Sequence, residues 1–387
     1  MKYIKRNIET IIKDYLKHFP VVVLTGPRQS GKTTTLKKIL PEFQYISLDT
    51  IDIRTAIQQD IREFINSIKQ PVIIDEAQHI PELFNYIKEI VDKNPNRHGR
   101  FILSGSSQFK LLSKISESLA GRAGIINLLP LDATEIPASY QDKHIIKGGY
   151  PKIAAQNGKN ASRWFQSYIQ TYIEKDIRLF LKVENLSLFR NFLDILALNC
   201  AKELNLSSLA KDAKISIKTV QNWISILEAS FIVFLLPGYY SNLKKRITKR
   251  PKLFFFDTGL LCFLLGIENK KDLEKHPFKG FIFENYIVSE AIKICAHKDK
   301  NIKAYYLRDS HGIEIDLILL RKSTLNLIEI KHSHTARAEF TKSLNKIKTL
   351  MEEQNLPFKV QKSVVYKGET MLFGTKFLNY IDFFKNL

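Results

Sequence analysis

The sequence predicts an α/β protein: a domain built on a parallel sheet, then a helical region, then a second α/β domain. Three observations predict it. Short apolar runs alternate with helical periodicity over the first 130 residues. Strand signals then vanish from about Arg163 to Ile232, and mixed strand and helix patterns return toward the end of the chain. The expected domains are 1–150, 151–250 and 251–387. A chain of 387 residues also exceeds what one hydrophobic core usually holds.

In the first domain, an apolar strand runs from Val21 to Thr25, a helix from Thr33 to Leu40 and a strand from Phe43 to Leu48. A helix near Ile51 to Ile68, a strand at Val72 to Ile74, a helix near Ile80 to Asp92 and a strand at Phe101 to Ser104 follow. In the second, Trp164, Tyr168 and Tyr172, then Phe189, Leu193 and Leu196, recur at helical spacing. LSSLAKDAKISIKTVQNWISILEASFIVFLL then reads as helix, turn at Lys214 to Ser216, helix through Leu227 and a β-rich stretch, Ile232 to Leu236, the layout of a winged helix-turn-helix. SNLKKRITKRPK is a basic run without an acid, ahead of a strand at Leu253 to Phe256. The third carries a helix around Phe281 to Ala296 and strands near Ala304 to Leu307, Ile313 to Leu320, Leu325 to Ile330 and Ser363 to Tyr366.

Hydrophobic residues at 44% and charged residues at 25% are ordinary globular usage and exclude extensive disorder. The net charge of +20 favours a polyanionic partner, nucleic acid or an anionic membrane surface; a generally Lys-rich composition is the bland alternative. Nucleic acid, DNA ahead of RNA, is the partner expected. Cys200, Cys262 and Cys295 are odd in number and widely spaced, which fits reduced structural thiols. The basic amphipathic N-terminus lacks a long apolar core, and no stretch reaches the roughly 18 apolar residues that a bilayer requires. A cytoplasmic protein without membrane partners is expected.

GPRQSGKT at 26–33 satisfies G-x-x-x-x-G-K-[ST] directly between an apolar strand and a helix, the context in which this loop cradles phosphates. Gly26 and Gly31 let the backbone curl with N–H groups inward, and Pro27, Arg28, Gln29, Ser30 and Thr34 complete the binding segment. Lys32 is expected on the β- and γ-phosphates of ATP and Thr33 on Mg²⁺. VIIDEAQ at 72–78 delivers Asp75 and Glu76 at a strand's carboxyl end: Asp75 for the Mg²⁺ shell, Glu76 as the base for the attacking water. After the next strand Ser104, Ser106, Ser107 and Gln108 stand where a polar group would touch the γ-phosphate; a plain Ser/Gly turn is the alternative. Arg122 or Arg178 is a candidate arginine finger, in cis or across subunits, against the simpler reading of a solvated arginine.

Toward the C-terminus, Glu284 falls in an otherwise apolar helical turn, where a carboxylate needs a partner or a metal. The hairpin of IEIDLILL and LNLIEIKHS carries Asp316, Glu329 and Lys331. Glu329 and Lys331 share a strand face and Asp316 can approach it, giving carboxylates for Mg²⁺ and a lysine for a developing phosphate charge, the pattern of metal-dependent phosphodiester cleavage. A solvated strand face is the alternative. His332 and His334 follow and read as a polar strand end.

End to end, the chain resembles the bacterial and archaeal AAA-type ATPases of the AAA+ superfamily whose C-terminal part is a domain of unknown function with a restriction-endonuclease-like fold. The segments that carry the resemblance are VVVLTGPRQSGKTT, VIIDEAQ, FILSGSSQ, ESLAGRAGIINLLPLDATEI, GGYPK, the winged-helix unit, FFFDTGLLCFLLG, GFIFENYIVSE, and GIEIDLILL with LIEIKHS. It implies a P-loop NTPase sheet, a winged helix and a domain similar to the PD-(D/E)xK nucleases, whose acids and lysine map onto Glu284, Asp316, Glu329 and Lys331. An AAA-type domain further implies assembly into a homo-oligomer. Three functions follow as expectations: an ATPase coupling ATP turnover to DNA or RNA binding; an ATP-regulated switch or scaffold in signalling or defence with a protein partner; or an ATP-gated, Mg²⁺-dependent nuclease.

Overall fold

The computed structural model describes residues 3–105, 115, 117–173, 186–239, 250–309, 312–353 and 358–387. The chain divides into two compact units: Met1–Leu131 with Ala229–Phe231 and His297–Asp299, and Asp132–Glu228 with Ile232–Ala296 and Lys300–Leu387. The polar turn after Gly105, Arg178 and most of the basic run before Lys252 lie outside the described residues.

In the first unit, β1 (Val21–Thr25), β2 (Gln44–Ser47), β3 (Val72–Asp75), β4 (Phe101–Gly105) and β5 (Ala123–Asn127) form a sheet in the order β2-β3-β4-β1-β5. Every neighbouring pair is parallel, as the alternation of strands and helices predicts. Val21 and Val23 pack on one face with Phe84, Ile87 and Val91; Val22 and Leu24 pack on the other with Ile8, Ile12 and Leu36. Helices cover both faces, so β1 is apolar at consecutive positions rather than alternate ones. Each such buried aliphatic side chain stabilises the unit by roughly 1.5–3 kcal/mol.

Two local readings change. The single helix expected from Ile51 to Ile68 is two, Ile51–Gln59 and Ile61–Ser67. Asp60 leaves the helical region at φ −148° and caps the second helix, its carboxylate accepting the Glu63 N–H at 2.8 Å. Such a cap is worth about 1 kcal/mol, enough to favour a new start over a continuous helix. The strand β5 was not anticipated, because its apolar run is short and Ile125 is 45% exposed.

The second unit begins with helices, including Ala161–Tyr168, which continues into a π-helical turn at Ile169–Ile173, and Leu186–Leu198. Helices Leu206–Ala213 and Ile217–Ala229 follow, joined by a tight turn that Lys214 enters at φ 55°. Phe189 and Phe192 meet Trp223 edge to face, with ring centroids 5.2 and 5.1 Å apart, and fasten the Leu186–Leu198 helix to this pair. β6 (Val233–Leu236) then pairs antiparallel with β7 (Lys252–Phe255).

The six-stranded sheet of this unit comprises β8 (Lys303–Arg308), β9 (Glu314–Arg321), β10 (Thr324–Lys331), β11 (Lys359–Tyr366), β12 (Met371–Phe373) and β13 (Thr375–Asn379) in the order β12-β13-β11-β10-β9-β8. Hairpin β9–β10 turns through Lys322 and Ser323, with Lys322 at φ 52°. The parallel pair β10–β11 requires a crossover, supplied by the helix Lys342–Glu353, whose Leu344, Ile347 and Met351 pack on the sheet. The sequence reading missed β12 and β13, which are three and five residues long around Gly374. Cys200, Cys262 and Cys295 are buried and form no disulfide, and among the described residues no helix is long and apolar enough to cross a membrane.

Candidate functional site

β1 leads straight into the loop 26–31, and the helix Lys32–Ile39 rises from its end. The turn needs its glycines. Gly26 sits at φ 146° with the Leu128 carbonyl oxygen 2.1 Å from where a Cβ would lie, and Gly31 sits at φ 95°. Pro27 and Ser30 are buried, Arg28 is half-buried, and Gln29 and Thr34 are exposed. The Ser30 hydroxyl and, just before the loop, the Thr25 hydroxyl are buried without a hydrogen-bond partner. Lys32 is 7% exposed, and its Nζ donates to the carbonyls of Gly26 (2.9 Å) and Pro27 (3.0 Å). Burial pulls its ammonium down to about 8, against the weaker pull of Glu76 and Asp75 the other way.

Parallel pairing sets the carboxyl end of β3 near the loop, and Asp75 gathers three hydroxyls. Thr33 Oγ1 and Tyr45 OH each donate to its Oδ2 at 2.7 Å, and Ser104 Oγ donates to its Oδ1 at 2.5 Å. Burial pushes this carboxyl up, but the bonds from Ser104, Thr33 and Tyr45 outweigh it and hold the group below its ordinary value. Glu76 follows in the left-handed region at φ 54°, ψ 42°, and Gln78 Nε2 donates to its Oε2. A non-glycine residue held there costs about 1–3 kcal/mol, a strain that accumulates at working sites.

The structure therefore brings Gly26, Lys32, Thr33, Asp75 and Glu76 into one region and leaves Arg122 apart. Arg122 precedes β5 at the amino-terminal edge of the sheet, where its carbonyl accepts the Val21 N–H, and its guanidinium grips Asp92 at 2.5 and 3.0 Å. Ser106 lies outside the described residues. Two contributors escaped the sequence reading. Tyr45 arrives from β2, and Arg6 is 3% exposed, with its guanidinium donating to Ser30 O (3.0 Å) and Leu129 O (2.8 Å) beneath the loop. Nothing in the sequence around Arg6 marks it, whereas Tyr45 was detectable as a polar-tipped residue on a strand adjacent to VIID.

In the second unit, Glu284, Asp316, Glu329 and Lys331 also converge. The β9–β10 register carries Asp316 alongside the end of β10, where its Oδ2 accepts the Ile330 N–H at 2.7 Å. Lys331 Nζ lies 2.6 Å from Glu329 Oε1, while Glu329 Oε2 is buried without a hydrogen-bond partner. Two residues join them unforeseen. Lys252 Nζ donates to Glu284 Oε1 at 2.8 Å and forms an ion pair with Glu314. Glu314 precedes Asp316 by two along β9, a same-face spacing that flags it in the sequence. Glu284, Glu314 and Asp316 offer oxygens all within 4.8 Å of one another. Burial raises the Glu284, Asp316 and Glu329 carboxyls above the ordinary range, against the opposing pull of the lysines. His332 faces elsewhere, 3.6 Å from Glu274 and 3.3 Å from Lys367.

Residues 18–137 match the family described as an AAA domain, and residues 139–271 and 279–381 match two domains of unknown function, DUF8612 and DUF4143. Uncharacterized proteins of Mycobacterium bovis and Mycobacterium tuberculosis are each 29% identical over 336 residues, 86% of this chain and 74% of theirs. Among solved structures, the Walker-type ATPase of Pyrococcus abyssi is 15% identical at a TM-score of 0.46, covering 66% of this chain and 94% of that one. With the parallel sheet and the loop geometry already described, the match over residues 18–137 makes the first unit an AAA-type P-loop domain.

Proposed function

We propose that the protein binds and hydrolyses ATP and couples that turnover to nucleic acid, DNA ahead of RNA. The observation that carries the ATP reading is the Thr33–Asp75 contact of 2.7 Å beside a buried Lys32 whose Nζ donates to the loop's own carbonyls. The donor set fits triphosphate and Mg²⁺. A phosphate group can replace the Gly26 and Pro27 carbonyls as acceptor from Lys32, and the unpartnered Ser30 hydroxyl adds a donor in the loop. Thr33 and Asp75 would hold Mg²⁺, whose chemistry is to neutralise charge on the β- and γ-phosphates. Glu76, oriented by Gln78, accepts a proton from the attacking water. With Arg122 at the far edge of the sheet, a finger role for it belongs to an assembly of subunits. The net charge of +20 and the helix-turn-helix pair ahead of the β6–β7 ribbon support nucleic-acid binding, read as a winged helix.

The test combines nucleotide binding with turnover in the presence and absence of DNA and RNA. Lys32→Ala is expected to lose ATP binding, and Glu76→Gln to keep binding while turnover falls about 10²–10⁴-fold. Turnover that persists in Glu76→Gln overturns the assignment of the base. Nucleic acid should stimulate the wild-type rate, and binding should weaken with salt as counterions are released; insensitivity to both removes the nucleic-acid half. A second reading, an ATP-gated nuclease of the restriction-endonuclease-like kind, is supported by the convergence of Glu284, Asp316, Glu329 and Lys331. Plasmid cleavage in Mg²⁺ or Mn²⁺ that survives both Asp316→Ala and Lys331→Ala would sink it.

A further inference from the structure

Lys252 has no place in either reading, yet it occupies the centre of the acidic cluster. It opens β7, where pairing with Leu236 on β6 and a bridge to Glu203 fix its backbone, so its side chain enters the cluster from a rigid strand. The residue is 2% exposed. Its ammonium holds Glu284 and Glu314, two of the three acids whose oxygens lie within 4.8 Å of one another, and it stands 5.4 Å from the centre of the Tyr306 ring. Tyr306 is itself fixed, its hydroxyl donating to Glu203 Oε1 at 3.2 Å.

An ammonium and a hard divalent cation ask for the same surroundings: several carboxylate oxygens and little else. They differ in size and charge. An ammonium sits about 2.8 Å from its oxygens and a Mg²⁺ about 2.1 Å, so the two cannot share one cage of this width. A further acceptor remains nearby, since Glu329 Oε2 is buried without a hydrogen-bond partner.

We propose that the Glu284–Glu314–Asp316 cluster is a cation site whose resident is the chain's own Lys252 ammonium, and that Lys252 and a divalent cation occupy it in mutual exclusion. The residues concerned all lie in the second unit, so the proposal stands apart from the ATP site. Any phosphodiester chemistry in that unit then requires Lys252 to swing out first.

The experiment uses the full chain, free of nucleotide, titrated with Mn²⁺ and followed by electron paramagnetic resonance of the free ion. Wild type is expected to take up no Mn²⁺ at this cluster. Lys252→Met keeps the aliphatic stem and removes the charge; it should take up one Mn²⁺ more than wild type at concentrations roughly tenfold or more below any uptake by wild type, and adding Asp316→Asn should abolish the gain. Lys252→Arg keeps a cation and should behave as wild type. A gain in Lys252→Arg equal to that in Lys252→Met overturns the proposal, as does Lys252→Met that folds and takes up no Mn²⁺. A thermal midpoint decides the case if Lys252→Met does not accumulate. A wild-type midpoint that climbs with Mn²⁺, and stops climbing in Asp316→Asn, overturns the proposal; one that does not move supports it.

Discussion

Two buried lysines, Lys32 in the phosphate loop and Lys252 in the acidic cluster, are 7% and 2% exposed and have opposite electrostatic fates. Lys32 rests on two neutral carbonyls, and burial pulls its ammonium down to about 8. Lys252 is also desolvated, but Glu284, Asp316 and Glu314 outweigh that effect and drive its ammonium above the ordinary lysine value. Burial alone therefore does not say what a lysine is for. One held by carbonyls is a charge still seeking its anion; one held by carboxylates has found it.

The sharpest way to break this comparison is to remove each charge and measure unfolding without metal or nucleotide. Lys252→Ala leaves the buried Glu284 and the half-buried Glu314 without their cation and is expected to destabilise the second unit by about 3 kcal/mol. Lys32→Met should act in the other direction, because burial outweighs the opposing pull of Glu76 and Asp75 on the charge it removes. The sign follows from the direction of the shift. A lysine whose folded value lies below its unfolded one costs stability below pH 8, and the cost fades as pH rises from about 8 to about 10.5. Lys32→Met should therefore gain on the order of 2 kcal/mol at pH 7, shrinking toward nothing near pH 10.5, as read from denaturant unfolding across pH. A loss of stability at pH 7 would mean that the carbonyls compensate Lys32 fully.

The two lysines were unequally legible. GPRQSGKT placed Lys32 because a phosphate loop is written in one contiguous stretch, and Asp75 came with it from the next apolar strand. The parallel sheet was readable for the same reason: strands buried on both faces are apolar throughout. Lys252 closed a basic run without an acid, and nothing local pointed to its partners. Its true neighbours, Glu284 and Glu314, lie 32 and 62 residues further along, brought together by the β6–β7 ribbon, the Lys279–His297 helix and β9. Charge that is neutralised only in three dimensions has no local pattern. Arg6 was missed likewise, because it reaches the loop across tertiary distance, whereas Tyr45, which meets Asp75 from the neighbouring strand, was within reach of the sequence reading.

The smallest expected effect concerns how the Asp75 carboxylate is held in place. Tyr45 OH and Thr33 Oγ1 both donate to the same oxygen of Asp75, Oδ2. If Thr33 is drawn off to Mg²⁺ on nucleotide binding, Tyr45 and Ser104 are left to hold the carboxylate in place. Tyr45→Phe removes one hydroxyl with little change in shape, and a hydrogen bond to a charged group contributes about 1.5–3 kcal/mol while it lasts. Part of that is recovered, because Thr33 and Ser104 still donate and water can reach the partly buried phenol position, so the net loss should be about 1 kcal/mol. The same substitution should raise the Mg²⁺ concentration needed for half-maximal nucleotide binding by a few-fold and leave binding at saturating Mg²⁺ unchanged. Titrating Mg²⁺ against a fluorescent ATP analogue measures it. An unchanged Mg²⁺ requirement would assign the orientation of Asp75 to Ser104 alone, at 2.5 Å from its other oxygen.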